Sequence, residues 1–261
     1  MRRKESVSPV LQQQGFSLIE LMIASVIGLL LLSAVLATFI SSSRTYRLQE
    51  SMSRVQESGR FVLEMMSVDI REAGLGLDNN QSAVRGYADA LRARIDGKAK
   101  LLAEIDDIQG QVLYIPGYVV GKRSDGRDIV RGDITYFVAE EADGRLSLYK
   151  RATPKLNPDP DKPDSNPTPQ PLIEGVEEVV FEYGEDTDND SLVNSFETAA
   201  DVEDWHRVVA VRLNVLVTGI DAGVVDQAQG TLSGPFNTVS TTDRRLYQVY
   251  KATIALRNRL P

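Results

Sequence analysis

The 261-residue chain has no cysteine, one histidine and one tryptophan. Without cysteine there is no disulfide framework, no thiol nucleophile and no Cys-based zinc site. His206, the single imidazole, cannot by itself support zinc chemistry, and no serine is nominated to join it in a nucleophilic triad. Packing or surface exposure beside Trp205 is the reading it receives. Gly74-Leu75-Gly76 lacks the third glycine and the preceding strand of a dinucleotide fingerprint, and no phosphate loop occurs. Positive charge is also short. A net charge of −8 argues against binding through phosphate neutralisation, so no nucleic-acid partner is expected. No catalytic residue emerges, and the chain does not read as an enzyme.

What is present is an ordinary folded composition, 42% hydrophobic and 25% charged with 19 Gly and 11 Pro. It suits one medium domain, or one domain with an extended appendage. Charge is unevenly spread. Arg2, Arg3 and Lys4 make the extreme N-terminus basic, whereas residues 16–261 hold 26 basic and 36 acidic residues, net −10. One long apolar run stands out: Leu21 to Ile40 reads LMIASVIGLLLLSAVLATFI without a charge. That matches the ~20 residues a helix needs to cross a bilayer core. The preceding cations predict a cytoplasmic N-terminus and export of everything after Arg44. A plain membrane anchor is one reading. A signal peptide cut near Val35-Leu36-Ala37 is another, although the run exceeds the ~7–15 residues of a signal core. Neither explains Glu20, a carboxylate just inside the apolar boundary, where a charge is costly and needs a partner.

The pattern Gly15-Phe16-Ser17-Leu18-Ile19-Glu20-Leu21-Met22 resembles the class III signal of type IV pilins and pseudopilins. In that family a prepilin peptidase cuts after the glycine and methylates the new N-terminal phenylalanine. The resemblance implies that Gly15 ends the leader, Phe16 becomes the N-methylated terminus, and Glu20 is the fifth mature residue. Glu20 would neutralise the cationic amine of a neighbouring subunit inside an apolar filament core. The departure is Leu11-Gln12-Gln13-Gln14, which places no basic residue near the cut.

The organisation expected is a leader over 1–15, a long helix over 16–74 containing the span 21–40, and a periplasmic α+β domain over 75–261. Leu48, Met52, Val55, Gly59, Val62, Met66, Ile70 and Ala73 recur at three- and four-residue spacing, a stripe for packing. Gly74 sits where a helix C′ residue belongs. A helix from Phe16 to Ala73 would be about 85 Å long. Ala83 to Ile105 has helix-forming composition interrupted by Gly86 and Gly97, which predicts short helices and loops. Strands are expected at Gln111–Ile115, Tyr118–Val120, Ile134–Val138 and Leu146–Lys150, with turns at Asp125-Gly126 and Asp143-Gly144. Pro154 to Pro171 holds seven prolines and reads as an exposed loop unable to join a sheet. Val176–Tyr183, Arg207–Val217 and Leu246–Leu256 are the best candidates for central strands.

The fold class is therefore α+β, a long N-terminal helix against an antiparallel sheet. That design also belongs to pilins. The size, the segment EMMSVDIREAGLG over Glu64–Gly76, the Asp-rich run near Asp186, and the ending from Asp243 to Arg259 resemble the minor pilin PilW family. The resemblance implies a minor pilin in a complex that primes pilus assembly or caps the tip, with roles in adhesion and twitching motility. Its partners would be prepilin peptidase, other minor pilins, the major pilin, the inner-membrane assembly platform and the lipid bilayer. A minor pseudopilin of type II secretion, similar to the J subunit, shares that architecture. A membrane-anchored periplasmic protein that never enters a filament is the alternative from another class.

One further pattern carries chemistry. Asp186-Thr187-Asp188-Asn189-Asp190-Ser191-Leu192-Val193-Asn194-Ser195-Phe196-Glu197 follows the calcium-loop template, with acids at positions 1, 3, 5 and 12. Asp186, Asp188, Asp190, Asn194 and Glu197 are the candidate ligands, and calcium would order the loop. No cofactor is required otherwise. Ser191 stands where the template has Gly, and a strand precedes the loop where the template has a helix.

Overall fold

The computed structural model describes residues 16–75, 77, 81–89, 108–122, 128–152 and 169–259, with side chains left aside over 118–131. Gly15 and the leader, the turn at Asp125-Gly126 and most of the proline-rich stretch lie outside the described residues. The chain divides into two compact units, one ending at Arg47 and one running from Leu48 to Pro261.

Helix α1 spans Leu18–Glu72, 55 residues. Its early part contains no proline and only Gly28 as a weak former. None of residues 16–50 is buried, and by length and composition this helix suffices to cross a membrane. At the other end Gly74 takes φ +83°, the left-handed turn expected of it. The last helical carbonyls are not orphaned. The Asn258 side-chain amide donates to the carbonyls of Glu72 and Ala73 at 3.2 Å each.

Among the described residues the second unit contains eleven strands: β1 Arg85–Tyr87, β2 Ile108–Ile115, β3 Tyr118–Lys122, β4 Asp128–Arg131, β5 Ile134–Glu140, β6 Leu146–Ala152, β7 Gln170–Glu174, β8 Val176–Glu185, β9 Ser195–Glu197, β10 Val208–Thr218 and β11 Tyr247–Ala255. Every pairing among the described residues is antiparallel. They form a five-stranded sheet in the order β1-β2-β5-β6-β7, a four-stranded sheet in the order β11-β10-β8-β9, and the ribbon β3-β4. The single expected sheet is thus two larger sheets and a ribbon, within the same α+β class.

The core lies between the helix and both larger sheets. Val55, Val62, Met66 and Ile70 of α1 meet Leu113, Tyr136 and Leu148 of one sheet and Phe181, Leu213 and Ile254 of the other. Burying each such side chain contributes roughly 1.5–3 kcal/mol. The helical stripe holds, with one correction. Met52 is exposed, and Ser51 is buried in its place. The 51, 55, 59, 62, 66, 70 spacing continues the stripe, and the chain at Gly219 comes so close that a Cβ there would lie 2.4 Å from Ser51 Oγ. Only a small residue fits beneath it.

The hairpin at Asp143-Gly144 is present, with Gly144 at φ +80° and the Asp143 carboxylate accepting the Arg145 N–H at 3.1 Å. Arg85–Tyr87 corrects the helical reading of its region. It is a strand, because Gly86 lets the Tyr183 phenol pack where a Cβ would sit, 2.0 Å from that oxygen. Pro171 also departs from expectation by pairing with Tyr149 in β7. An edge strand tolerates it, since a missing N–H on the free side breaks no ladder bond. Of the three strands expected at the centre, β8 and β10 are central, but β11 is an edge.

Candidate functional site

Ser17 and Glu20 organise the start of α1. The Ser17 hydroxyl accepts the Ile19 N–H at 3.2 Å, and Glu20 Oε2 accepts the Ser17 N–H at 3.1 Å. With Ser17 as the N-cap and Glu20 three residues on, this is a capping box. Two of the amides that a helix end leaves without partners are thereby satisfied, which matters most where no water is available. Glu20 has a partner in its own chain, one that the sequence reading overlooked. The Ser-x-x-Glu spacing signals it. Phe16, immediately before, is almost fully exposed.

The acidic loop joins β8 to β9, so strands flank it on both sides. The ligand atoms of Asp186, Asp188 and Asp190 lie within 4.8 Å of one another. Ser191 adopts φ +68° and Asn189 φ +62°. Position 6 of the template therefore takes its left-handed conformation without glycine, at a cost in strain. Asp186 is buried and its carboxylate accepts the N–H groups of Asn189 at 2.7 Å, Asp190 at 3.3 Å and Ser191 at 2.9 Å. Burial pushes its pKa up, but the Ser191 and Asn189 amides outweigh that and hold it below the ordinary aspartate value. The remaining two positions are used differently. Asn194 Oδ1 accepts from the Thr187 N–H at 2.6 Å. Glu197 stands in β9 opposite Tyr183, outside the aspartate group.

His206 is exposed and belongs to a short 3-10 turn, Trp205–Arg207, capped by Asp204. Its Nδ1 lies 3.2 Å from Asp204 Oδ1, and Trp205 meets the Tyr183 ring edge-on at 4.7 Å. A cleft of 590 Å³ opens here, lined also by Arg85, Tyr114 and Asp133. Burial, then the neighbouring Asp133, raises the Tyr114 pKa, so this phenol stays protonated. The Asp133 carboxylate accepts the Gly117 N–H at 2.8 Å. His206 is thus exposed and Trp205 packed, in line with a reading of packing or surface exposure for this pair.

A buried polar cluster was not legible at all. Asp69 on α1 is 4% exposed, accepts the Tyr136 hydroxyl and pairs with Lys150 Nζ at 2.6 Å. It ties the helix to β5 and β6.

Comparison with known families agrees with both halves of this description. Residues 11–36 match the family model of the prokaryotic N-terminal methylation motif. Residues 135–258, from β5 to the last turn, match that of type IV pilus-assembly protein W. No curated protein and no solved structure matches the chain.

Proposed function

We propose, on the premise that this chain belongs to the type IV pilus-assembly protein W family, that it acts in the complex that primes pilus assembly or caps its tip. It is a type IV pilin-like minor pilin, a structural protein anchored by its apolar helix with a periplasmic domain. The observation carrying the proposal is the occurrence of a prepilin methylation motif and a PilW domain on one chain, the motif running into a 55-residue helix. In this reading the leader is cut after Gly15, and Phe16 becomes the methylated, cationic terminus. The helices of neighbouring subunits pack together, and Glu20 of one faces the Phe16 amine of the next. Glu20 Oε2 accepts the Ser17 N–H, and the carboxylate keeps further lone pairs with which to accept that amine. A charge pair in an apolar filament core sets register because an unpaired partner is expensive there.

The test is Glu20→Ala in a deletion strain. The variant should be cleaved and retained in the membrane while surface pili drop to the level of the deletion. Wild-type piliation would remove Glu20 from the register role.

For the β8–β9 loop we infer a structural calcium ion, held by Asp186, Asp188 and Asp190 with Asn194 or Glu197 completing the set after local adjustment. The proximity of the three carboxylates supports it. An ion at a hundredfold excess over its Kd stabilises by about 2.7 kcal/mol. Thermal melting of the full chain in detergent should therefore rise with calcium and fall back with a chelator. Asp188→Asn with Asp190→Asn should remove that difference, and a melt indifferent to calcium would discard the site.

A further inference from the structure

The cleft beside Trp205 is gathered from stretches far apart in the sequence. Arg85 opens β1, Tyr114 stands near the end of β2, Asp133 precedes β5, and Glu203, Asp204 and Trp205 lead into β10. Its 590 Å³ falls within the roughly 300–1,000 Å³ of clefts that hold ligands, and its lining has their mixture of aromatic surface and a few convergent polar groups.

Charge in the lining is one-sided, with three carboxylates against one guanidinium. Asp133 accepts the Gly117 N–H at 2.8 Å, and Asp204 accepts the His206 N–H at 2.9 Å. A backbone amide orients Asp204 without cancelling its charge, and Arg207 Nε, at 3.8 Å, is too far for a hydrogen bond. Glu203 is exposed, and among the described residues nothing bonds its carboxylate.

The aromatic side of the cleft is fixed. Trp205 is half-buried and braced by the Tyr183 ring at 4.7 Å, with 68° between the planes. Tyr183 is itself fully buried. Its hydroxyl lies against Gly86, the neighbour of Arg85, and has no hydrogen-bond partner among the described residues. Buried polar groups are seldom left unpaired, and this one lies next to two elements of the cleft wall.

Negative charge beside a fixed indole selects the ligand. A phosphate or carboxylate would be repelled. A neutral sugar can stack and donate hydroxyls, but it gains nothing from the net charge. An arginine side chain uses every part of the site. Its planar guanidinium stacks on aromatic rings and offers paired N–H donors to a carboxylate, and its methylene stem covers apolar surface.

We propose that this cleft seats an arginine side chain presented by a different subunit of the assembly, with Glu203 and Asp204 holding the guanidinium beside Trp205. The source of the arginine rests on the reading of this chain as part of a pilus complex, whereas the chemistry of the cleft does not.

Trp205 is the only tryptophan in the chain, so its fluorescence reports on this cleft. Titrating the full chain in detergent with the blocked tripeptide acetyl-Ala-Arg-Ala-amide should change that emission saturably. The citrulline peptide, an uncharged isostere, should bind about tenfold more weakly. Glu203→Gln should weaken the arginine peptide severalfold with an unchanged thermal melt, and Glu203→Lys should abolish its binding. Equal binding of the two peptides, no response to either, or a response to maltose in their place overturns the cation site. In cells, Glu203→Lys should be cleaved and retained in the membrane yet lower piliation. Wild-type piliation in that variant defeats the subunit source even if the titration succeeds. A failed titration defeats this inference alone, because piliation of the Glu20→Ala strain tests the functional reading independently.

Discussion

Gly59 and Tyr250 meet where α1 crosses β11. A Cβ on Gly59 would lie 2.2 Å from the Tyr250 ring, and the ring is held in place by its hydroxyl, which donates to the Val55 carbonyl at 3.1 Å. In an exposed helix, Gly→Ala gains about 1 kcal/mol, but overpacking a fitted contact costs about 1–3 kcal/mol. Here the second effect wins, since both the ring and its hydrogen bond must move. Gly59→Ala should lower thermal stability of the full chain in detergent, and adding Tyr250→Leu should recover part of the loss. A stabilised single variant would show that the ring is free to shift. The stripe that placed Gly59 on the packing face was readable from spacing. Its need to be glycine was not, because Tyr250 lies at the far end of the sequence. Ser51 under Gly219 is the same kind of case.

At the level of elements, Asp69 joins α1 to β5 and β6 through Tyr136 and Lys150. The two halves of the ion pair are unequally placed, with Asp69 buried and the Lys150 side chain 23% exposed. Removing the partner of a buried charge costs about 3–5 kcal/mol, whereas a pair replaced as a unit is often neutral. Lys150→Met should therefore destabilise by an amount near that range, eased by the remaining Tyr136 bond. Asp69→Asn should cost less, because a lysine can extend its ammonium to water. Denaturant melts of both variants check the order, and equal losses would contradict it. Strand positions were legible where alternation and turn chemistry agreed, as at Asp143-Gly144. They failed where a distant contact decided, as at Gly86 under Tyr183. Pro171 failed for a related reason: a local rule excludes proline from a ladder, and only topology reveals that β7 has a free side. The edge position of β11 was hidden likewise, since its sequence alternates like that of a central strand.

For the whole molecule, the apolar N-terminal half of α1 and the α+β domain were both visible in the pattern of hydrophobic residues, and the family matches fall on the same segments. What the linear pattern could not display is the sorting of charge to opposite sides of one sheet. The cations after Arg244 and the acids before Asp204 look like two local clusters until β10 and β8 are set between them. The motif at the start of the chain was legible for its glycine, phenylalanine and glutamate, but its serine passed unnoticed.

That serine has one more consequence. The groups that close the first turn belong to Ser17, Ile19 and Glu20, and the nitrogen of Phe16 contributes nothing to them. A bond broken at that nitrogen, or a methyl added to it, therefore falls outside the structure it adjoins. Cleavage and methylation at that nitrogen, as proposed above, would leave the first turn of the helix in place and need no refolding step.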